Sequence, residues 1–188
     1  RQPRQCRLGS GAGEAFEEVN LMLPVHLRWM IRRDMDNVLA IENACFEFAW
    51  TEYDFIRCLR QRNAIGMVAE HGERIVGFMI YELHKTRLHI LNFAVHPQFR
   101  HQGVGRQMVD KLVSKLSERR RSRILVEVRE TNLAAQLFFQ KMGFLAINVL
   151  KQFYDDCDDD AYLMSYDASQ LAAVAGSEAA ARSRGSEE

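Results

Sequence analysis

The stretch RHQGVGRQMVDKL, residues 100–112, sets two glycines between basic and amide side chains directly before a predicted helix. Glycine allows a backbone to approach a ligand closely, and the amides at a helix N-terminus attract anions. Gly103 and Gly105 therefore indicate an anion site, although such a glycine pair also occurs as a simple tight connection. The stretch is neither a P-loop, because no Lys-Ser/Thr pair follows Gly105, nor a dinucleotide fingerprint, because Met108 replaces the third glycine. Another pyrophosphate-bearing ligand fits better.

A second candidate for chemistry is Glu127, in the predicted strand ILVEVR, residues 124–129. The two-residue period of a strand places Ile124, Val126 and Val128 on one face and Glu127 on the other. A carboxylate between apolar neighbours in mid-strand is unusual, and one interpretation is a general base held in a partly apolar site. The alternative is an ordinary amphipathic strand with one wet face.

The cysteines do not indicate a metal centre. The four of them, at positions 6, 45, 58 and 157, form no CxxC pair and no Cys/His spacing suited to zinc. We therefore expect reduced thiols, a cytoplasmic location and no metal.

The net charge of the chain does not indicate a charged partner. Lys plus Arg and Asp plus Glu both number 25, so net charge predicts neither a nucleic-acid partner nor a membrane surface. No apolar run is long enough for a membrane span.

An acidic segment near the end of the chain is relevant to the acceptor. It comprises Asp155, Asp156, Asp158, Asp159 and Asp160. This segment is either an attractant for a cationic peptide or simply a solvated turn. Calcium is disfavoured, because Ala161 stands where an EF-hand requires glycine.

Hydrophobic periodicity predicts the order β-α-α-β-β-β-α-β-α-β-β, a mixed α/β (α+β) domain over residues 25–168. Residues 1–24 are an extension of uncertain order, and residues 169–188 are expected to be a disordered tail. The first helix is capped by Asp34 or Asp36, and Thr51 with Asp54 begins the second. The helix after the glycine-rich turn runs for about four turns. Gly143 ends the last helix.

Together, NFAVHPQFRHQGVGRQMVDKL and LVEVRETNLAAQLFFQKMGF resemble the acetyl-CoA-binding core of the GNAT superfamily of N-acetyltransferases. The resemblance covers residues 28–166, and it is strongest to the ribosomal-protein-alanine (RimI-type) and protein N-terminal acetyltransferases. It implies a mostly antiparallel sheet of about seven strands flanked by about four helices. It also implies that the glycine-rich turn holds the pyrophosphate of coenzyme A.

The resemblance implies a role for each candidate residue. Backbone groups at Phe93, Ala94 and Val95 would meet the acetyl group and the pantetheine arm. The residues that would surround the pyrophosphate are His101, Gln102, Gly103, Val104, Gly105 and Arg106. Glu127 matches the catalytic carboxylate. Asn132 matches an asparagine that contacts the coenzyme, although it also suits a helix N-cap.

Phe139 is a departure from the family pattern, because it stands where relatives carry the tyrosine that protonates the leaving thiolate. Phenylalanine can pack on the pantetheine but has no proton to donate. Water or Tyr154 is the alternative donor, and Tyr154 is equally well explained as a hairpin tyrosine with a wet hydroxyl. Phe48 and Trp50 resemble the aromatic loop that shapes the acceptor groove, or else they are core residues.

The function we expect is transfer of an acetyl group from acetyl-CoA to a protein N-terminal α-amine, with a ribosomal protein as one candidate partner. Direct transfer would use Glu127 as general base. The alternatives are a GNAT enzyme for a small-molecule amine or a lysine side chain, and a non-catalytic coenzyme-A-binding module. The sequence predicts no oligomeric state.

Overall fold

A computed structural model describes residues 22–117, 120–154 and 158–169. The strands are β1 (His26–Trp29), β2 (Ala64–His71), β3 (Arg74–Leu83), β4 (Arg87–Val95), β5 (Arg123–Arg129), β6 (Leu145–Leu150) and β7 (Ala161–Asp167), and the helices are α1 (Met35–Cys45), α2 (Glu52–Leu59), α3 (Val104–Val113) and α4 (Leu133–Lys141). Most of the predicted extension and tail, with Asp155 and Asp156, lies outside the described residues. The domain limits of 25–168 stay a prediction. Within the described part of the chain, no helix is both long and apolar enough to cross a membrane.

The strands form one sheet in the order β1-β2-β3-β4-β5-β7-β6. Only the β4–β5 pair in this sheet is parallel; the other neighbours are antiparallel. The predicted mixed, mostly antiparallel sheet of seven strands with four helices is therefore confirmed for the described residues.

Strand β4 contains a bulge that controls which way its side chains point. Its register with β3 shifts between Ile80 and Tyr81, which pair with Asn92 and Ile90, so Leu91 is the extra residue. Before the bulge, Ile90 belongs to one core; after it, Ala94 belongs to the other. The pairing of β4 with β5 ends at Ile90 and Val126, although both strands continue.

The two faces of the sheet carry separate cores. Helices α3 and α4 cover one face, where Met108 and Phe144 are fully buried. Helices α1 and α2 cover the other, where Ile41 and Phe55 are buried. In β5 the predicted alternation is confirmed, because Ile124, Val126 and Val128 are buried in the first core. Glu127 is therefore on the α1–α2 face.

Most of the predicted helix signals are confirmed. Thr51 Oγ1 accepts from the Asp54 amide while the Asp54 carboxylate accepts from the Thr51 amide, which is the reciprocal cap expected at α2. Gly143 follows α4 with a left-handed φ of 88°. The predicted length of α3 is wrong, because the helix ends at Val113. Beyond that residue the Lys115 and Leu116 amides donate to the carbonyls three residues before them, those of Leu112 and Val113, which is the tighter 3₁₀ pattern.

The predicted cap at Asp34 is also wrong in its chemistry. Its carboxylate makes no cap bond to α1 and instead accepts two hydrogen bonds from the Arg28 guanidinium, at 2.7 and 2.9 Å, and one from the Ile31 amide. Arg28 also contacts Glu70 on β2. The guanidinium of Arg28 lowers the pKa of buried Asp34. This cluster joins β1 and β2 to the start of α1.

Replacement of Asp34 by asparagine is expected to lower the free energy of unfolding by about 1–3 kcal/mol at pH 7, because the charged hydrogen bonds to Arg28 are lost. A carboxyl whose folded-state pKa is lowered stabilises the fold above its unfolded pKa, about 3.9, and loses that contribution as the pH falls. Urea denaturation at pH 7 and at acidic pH should therefore show a difference from the unsubstituted protein that shrinks on acidification. Asp36→Asn, at an exposed position of α1, is the control, and an equal loss in both variants would contradict this account.

Candidate active site

Strands β4 and β5 separate beyond their last paired residues and leave a gap. The β4 residues at this gap are Phe93, Ala94 and Val95, which are predicted to contact the acetyl group and pantetheine arm of acetyl-CoA. These residues pair with β3 on one side, while the β4–β5 pairing ends before them, at Ile90. The backbone edge that faces β5 here is outside the ladder and can bind a ligand. The carbonyl of Val95 already accepts a hydrogen bond from Arg100 Nε at 3.2 Å.

The glycine-rich turn leads directly into α3. Its backbone is left-handed at His101 and at Gly103, with φ of 60° and 77°. The residues that follow, Val104, Gly105 and Arg106, form the first turn of α3, whose amides have no acceptor within the helix. The side chains of this turn offer less to an anion than its amides do, because Val104 is buried and the exposed Arg106 already pairs with Asp110. The side-chain amide of Gln102 (Nε2) donates a hydrogen bond to the backbone carbonyl of Gln98.

The two glycines also have packing roles that the sequence did not show. A Cβ at Gly105 would lie 3.1 Å from the Phe138 ring, so glycine allows α3 to approach α4 closely. A Cβ at Gly103 would lie 2.9 Å from Met22. The segment with Met22 is held by Gln107, whose amide donates to the Leu23 carbonyl and accepts from the Val25 amide.

Glu127 has a partner on the neighbouring strand. His89 Nε2 of β4 lies 2.6 Å from Glu127 Oε2, and an ionised carboxylate accepts this bond from the imidazole. The two side chains are 21% and 16% exposed, so both are partly sheltered yet reachable from solvent. Glu127 lies one position beyond the last β4–β5 pair, where the gap opens. The sequence pattern predicted Glu127 but gave no sign of His89, since only strand register brings the two residues together.

A cavity of about 760 Å³ opens on the α1–α2 face of the sheet. Its lining is Phe48, Ala49, Trp50, Asp54, Arg57, Cys58, Gln61 and Tyr154. The cavity therefore brings together Phe48 and Trp50, the predicted aromatic residues of the acceptor groove, and Tyr154, the predicted alternative proton donor. Burial raises the pKa of the Cys58 thiol, which keeps it protonated at neutral pH. Trp50 also packs edge-on against the buried ring of Phe55. It therefore both lines the cavity and contacts the core, the two alternatives that the sequence left open.

Glu42 holds the loop of this cavity in place and was not identified from the sequence. It is 1% exposed, and its carboxylate accepts from the Trp50 amide at 2.8 Å and from Asn92 Nδ2 at 3.0 Å. Burial raises the pKa of Glu42, against the effect of these two bonds. Glu42 thus joins the α1–α2 loop to β4 just past the bulge. The signal that could have found it is the one that marked Glu127, a carboxylate among apolar positions.

The family of the chain follows from its similarity to a known family model. Residues 35–144, more than half of the chain, match the model of the acetyltransferase (GNAT) family. The chain belongs to the GNAT family. It is therefore an acyltransferase, and the resemblance stated from its motifs is confirmed.

The GNAT assignment is supported by individual relatives. The chain is 26% identical over 134 residues to the [ribosomal protein bS18]-alanine N-acetyltransferase of Escherichia coli K12, covering 70% of this chain and 90% of that protein. It is 29% identical over 139 residues to the putative enzyme of that name from Bacillus subtilis 168, covering 73% and 92%. The structure of Arabidopsis thaliana NAA60 in complex with acetyl-CoA is similar in fold, with a TM-score of 0.67, 18% identity and coverage of 77% and 99%.

Two predicted donor-side residues of this GNAT domain have clear structural roles. Asn132 Oδ1 accepts from the Ala135 amide, so Asn132 is the N-cap of α4, and its contact with a coenzyme stays a prediction. Phe139 is only 3% exposed and packs on Phe93 and Phe144. Phe138, which the sequence did not single out, is the less buried ring next to Gly105.

Arg129 connects the two sides of the cavity lined by Phe48 and Tyr154. Its guanidinium lies 4.0 Å from the centre of the Tyr154 ring and 5.2 Å from that of Phe48, and it pairs with Asp159 at 3.2 Å. Tyr154 precedes β7, whereas Phe48 lies in the α1–α2 loop. Arg129 is two residues from Glu127 on the same strand face. It therefore sets the position of both aromatic rings relative to Glu127.

Arg129→Ala is expected to raise the KM for the acceptor amine on the order of tenfold, because two cation–π contacts of about 0.5–1 kcal/mol each are lost. The KM for the acetyl donor should change little, since the donor turn lies at α3. Steady-state kinetics with each substrate varied in turn measures both values. Arg123→Ala, at the far end of β5, is the matched control, and a rise in donor KM equal to that in acceptor KM would contradict the assignment.

Proposed function

We propose that this GNAT enzyme acetylates the α-amine of a protein or peptide N-terminus, with acetyl-CoA as donor. The observation that carries the proposal is the gap between β4 and β5, which joins two distinct surfaces. The first turn of α3 lies toward one side, and the cavity with Tyr154 lies on the other, where Arg129 of the Glu127 strand contacts the Tyr154 ring. A donor and an acceptor approaching from opposite faces of the sheet would meet in this gap.

The donor side fits the pyrophosphate of a coenzyme A. The first-turn amides of α3 lack acceptors within the helix, and the positive end of the helix dipole favours a doubly charged group. Gly103, in the left-handed region, turns the chain sharply into that helix. Backbone groups at Phe93, Ala94 and Val95 would hold the pantetheine arm and the acetyl carbonyl. Acetyl-CoA supplies an activated acetyl thioester.

On the acceptor side, Glu127 removes the proton that the amine loses, directly or through one water. Its bond to His89 fixes the direction of the carboxylate. The demand on this base is modest, because an α-amine has a pKa of about 7.7–8.0, far below that of a lysine side chain. A site with one partly exposed carboxylate therefore suits an α-amine better than a lysine.

The proton for the departing thiolate has a different source from that in relatives with a tyrosine at position 139. Phe139 is buried and has no proton to give. Tyr154 is the tyrosine of the acceptor cavity, and Arg129 holds its ring over β5. We assign the donor role to Tyr154, with water as the alternative. A thiol of pKa about 8.5 is a good enough leaving group for either source.

The acceptor is best sought among peptides. The relatives from E. coli and B. subtilis are named for the alanine of ribosomal protein bS18, so a peptide beginning with alanine is the first choice. An acceptor of this kind would place the enzyme in the cytoplasm.

Mass spectrometry of products formed with acetyl-CoA tests the acceptor class. The panel contains peptides with different first residues, N-terminally blocked peptides with one lysine, and small amines. We expect acetylation of free peptide α-amines only, with a preference for certain first residues. Acetylated small amines or lysines with untouched α-amines would overturn the acceptor assignment, and binding of acetyl-CoA without any product would overturn the enzymatic one.

Glu127→Gln is expected to lower kcat by about 10²- to 10⁴-fold, the usual contribution of general base catalysis, because the amide cannot accept the proton. The affinity for acetyl-CoA should stay nearly the same, since Glu127 lies away from the α3 turn. Stopped assays with the preferred peptide and equilibrium binding of the coenzyme give the two values. Glu73→Gln, in the exposed β2–β3 turn, is the control. A kcat close to that of the control would show that Glu127 is not the base.

A further inference from the structure

Three side chains near Glu127 form a cluster, and only one of them, His89, has a role in the proposed acetyl transfer. Glu82 lies on β3, His84 follows that strand, and His89 lies on β4. Each offers one ligand atom, and the three atoms lie within 4.8 Å of one another. Their side chains are between 21% and 33% exposed. The cluster is thus partly sheltered but open to an ion from solvent.

The backbone holds these side chains on one face. Glu82 and His89 are direct partners in the β3–β4 register, so they project to the same side of the sheet. His84 is fixed through its main chain, since its amide donates to the Arg87 carbonyl and its carbonyl accepts from Arg121 Nε at 2.7 Å. Ligands carried on such restrained elements lose little freedom when they bind an ion.

We propose that Glu82, His84 and His89 bind a divalent transition metal, with Zn²⁺ as the preferred ion. Two imidazoles and one carboxylate, with water in a fourth position, are a common ligand set for Zn²⁺. The carboxylates of Glu82 and Glu127 together balance the charge of a divalent ion. Glu127 also accepts a hydrogen bond from His89, the kind of outer contact that orients histidine ligands in metal sites.

The Cys and His spacings along the chain predicted no metal. These ligands come instead from the register of two strands and the turn between them, and no short motif records them. The competing explanation is a hydrogen-bond network without an ion, in which His84 binds Glu82 at 2.9 Å and His89 binds Glu127. The two explanations differ in what happens when Zn²⁺ is added.

The metal alone tests the site, independently of any activity. Isothermal titration of the purified full chain with Zn²⁺ should show one ion per chain bound by the cluster, and Co²⁺ should give the visible absorption of a coordinated ion. His84→Asn should weaken binding by at least about tenfold, since loss of even an outer contact costs that much. His71→Asn, a histidine outside the cluster, should bind as the parent does. Absent binding, or equal binding in the parent and in His84→Asn, would overturn the proposal.

The location of the ion predicts a second effect, which rests on the proposed function. A divalent cation beside Glu127 would repel a protonated acceptor amine. Zn²⁺ should therefore inhibit acetylation by the parent protein reversibly, with full recovery on chelation, and inhibit His84→Asn much less. Zinc bound at the cluster without inhibition would contradict the acceptor position but support the metal site; inhibition equal in both variants would count against the metal site.

Discussion

The bulge at Leu91 is the constraint on which the active site depends. Ile90 and Ala94 are four residues apart and would share one face of a regular strand. The extra residue in β4 reverses the alternation between them, so that Ile90 packs with α3 and α4 while Ala94 packs with α1 and α2. The parallel ladder with β5 ends at the same point. Without the bulge, continued pairing would close the edge of Phe93–Val95 and cover the place where Glu127 faces the gap. The opening is thus built into backbone hydrogen bonding rather than into a mobile loop.

Buried polar contacts next to the bulge hold the acceptor side in place. Glu42 links the Trp50 amide to Asn92, the first residue after the bulge. This arrangement is costly, because a carboxylate is 1% exposed and Asn92 Oδ1 is buried without a hydrogen-bond partner among the described residues. Arg129 makes a second link, from β5 to rings on two different loops. The cavity wall is therefore tied to both strands that form the gap.

The sequence predicted what depends on local patterns. Alternation in β5 gave the face of Glu127, Thr51 and Asp54 gave the start of α2, and Gly143 gave the end of α4, because each signal acts within a few residues. The Arg28–Asp34 pair, the bulge and the His89–Glu127 bond depend on contacts between separate elements, so short windows could not show them. The Gly105 signal was ambiguous for the same reason, since its contact with Phe138 arises only when α3 packs on α4.

The most direct test of the account is a crystal structure of the chain with a conjugate that joins coenzyme A to the N-terminal amine of the preferred peptide. The account predicts pyrophosphate density at the amides of Val104, Gly105 and Arg106, a linker passing between Phe93–Val95 and Glu127, and peptide density in the cavity beside Tyr154. Density for the peptide on the α3–α4 face, or for the pyrophosphate away from the start of α3, would contradict the proposed meeting of donor and acceptor in the β4–β5 gap.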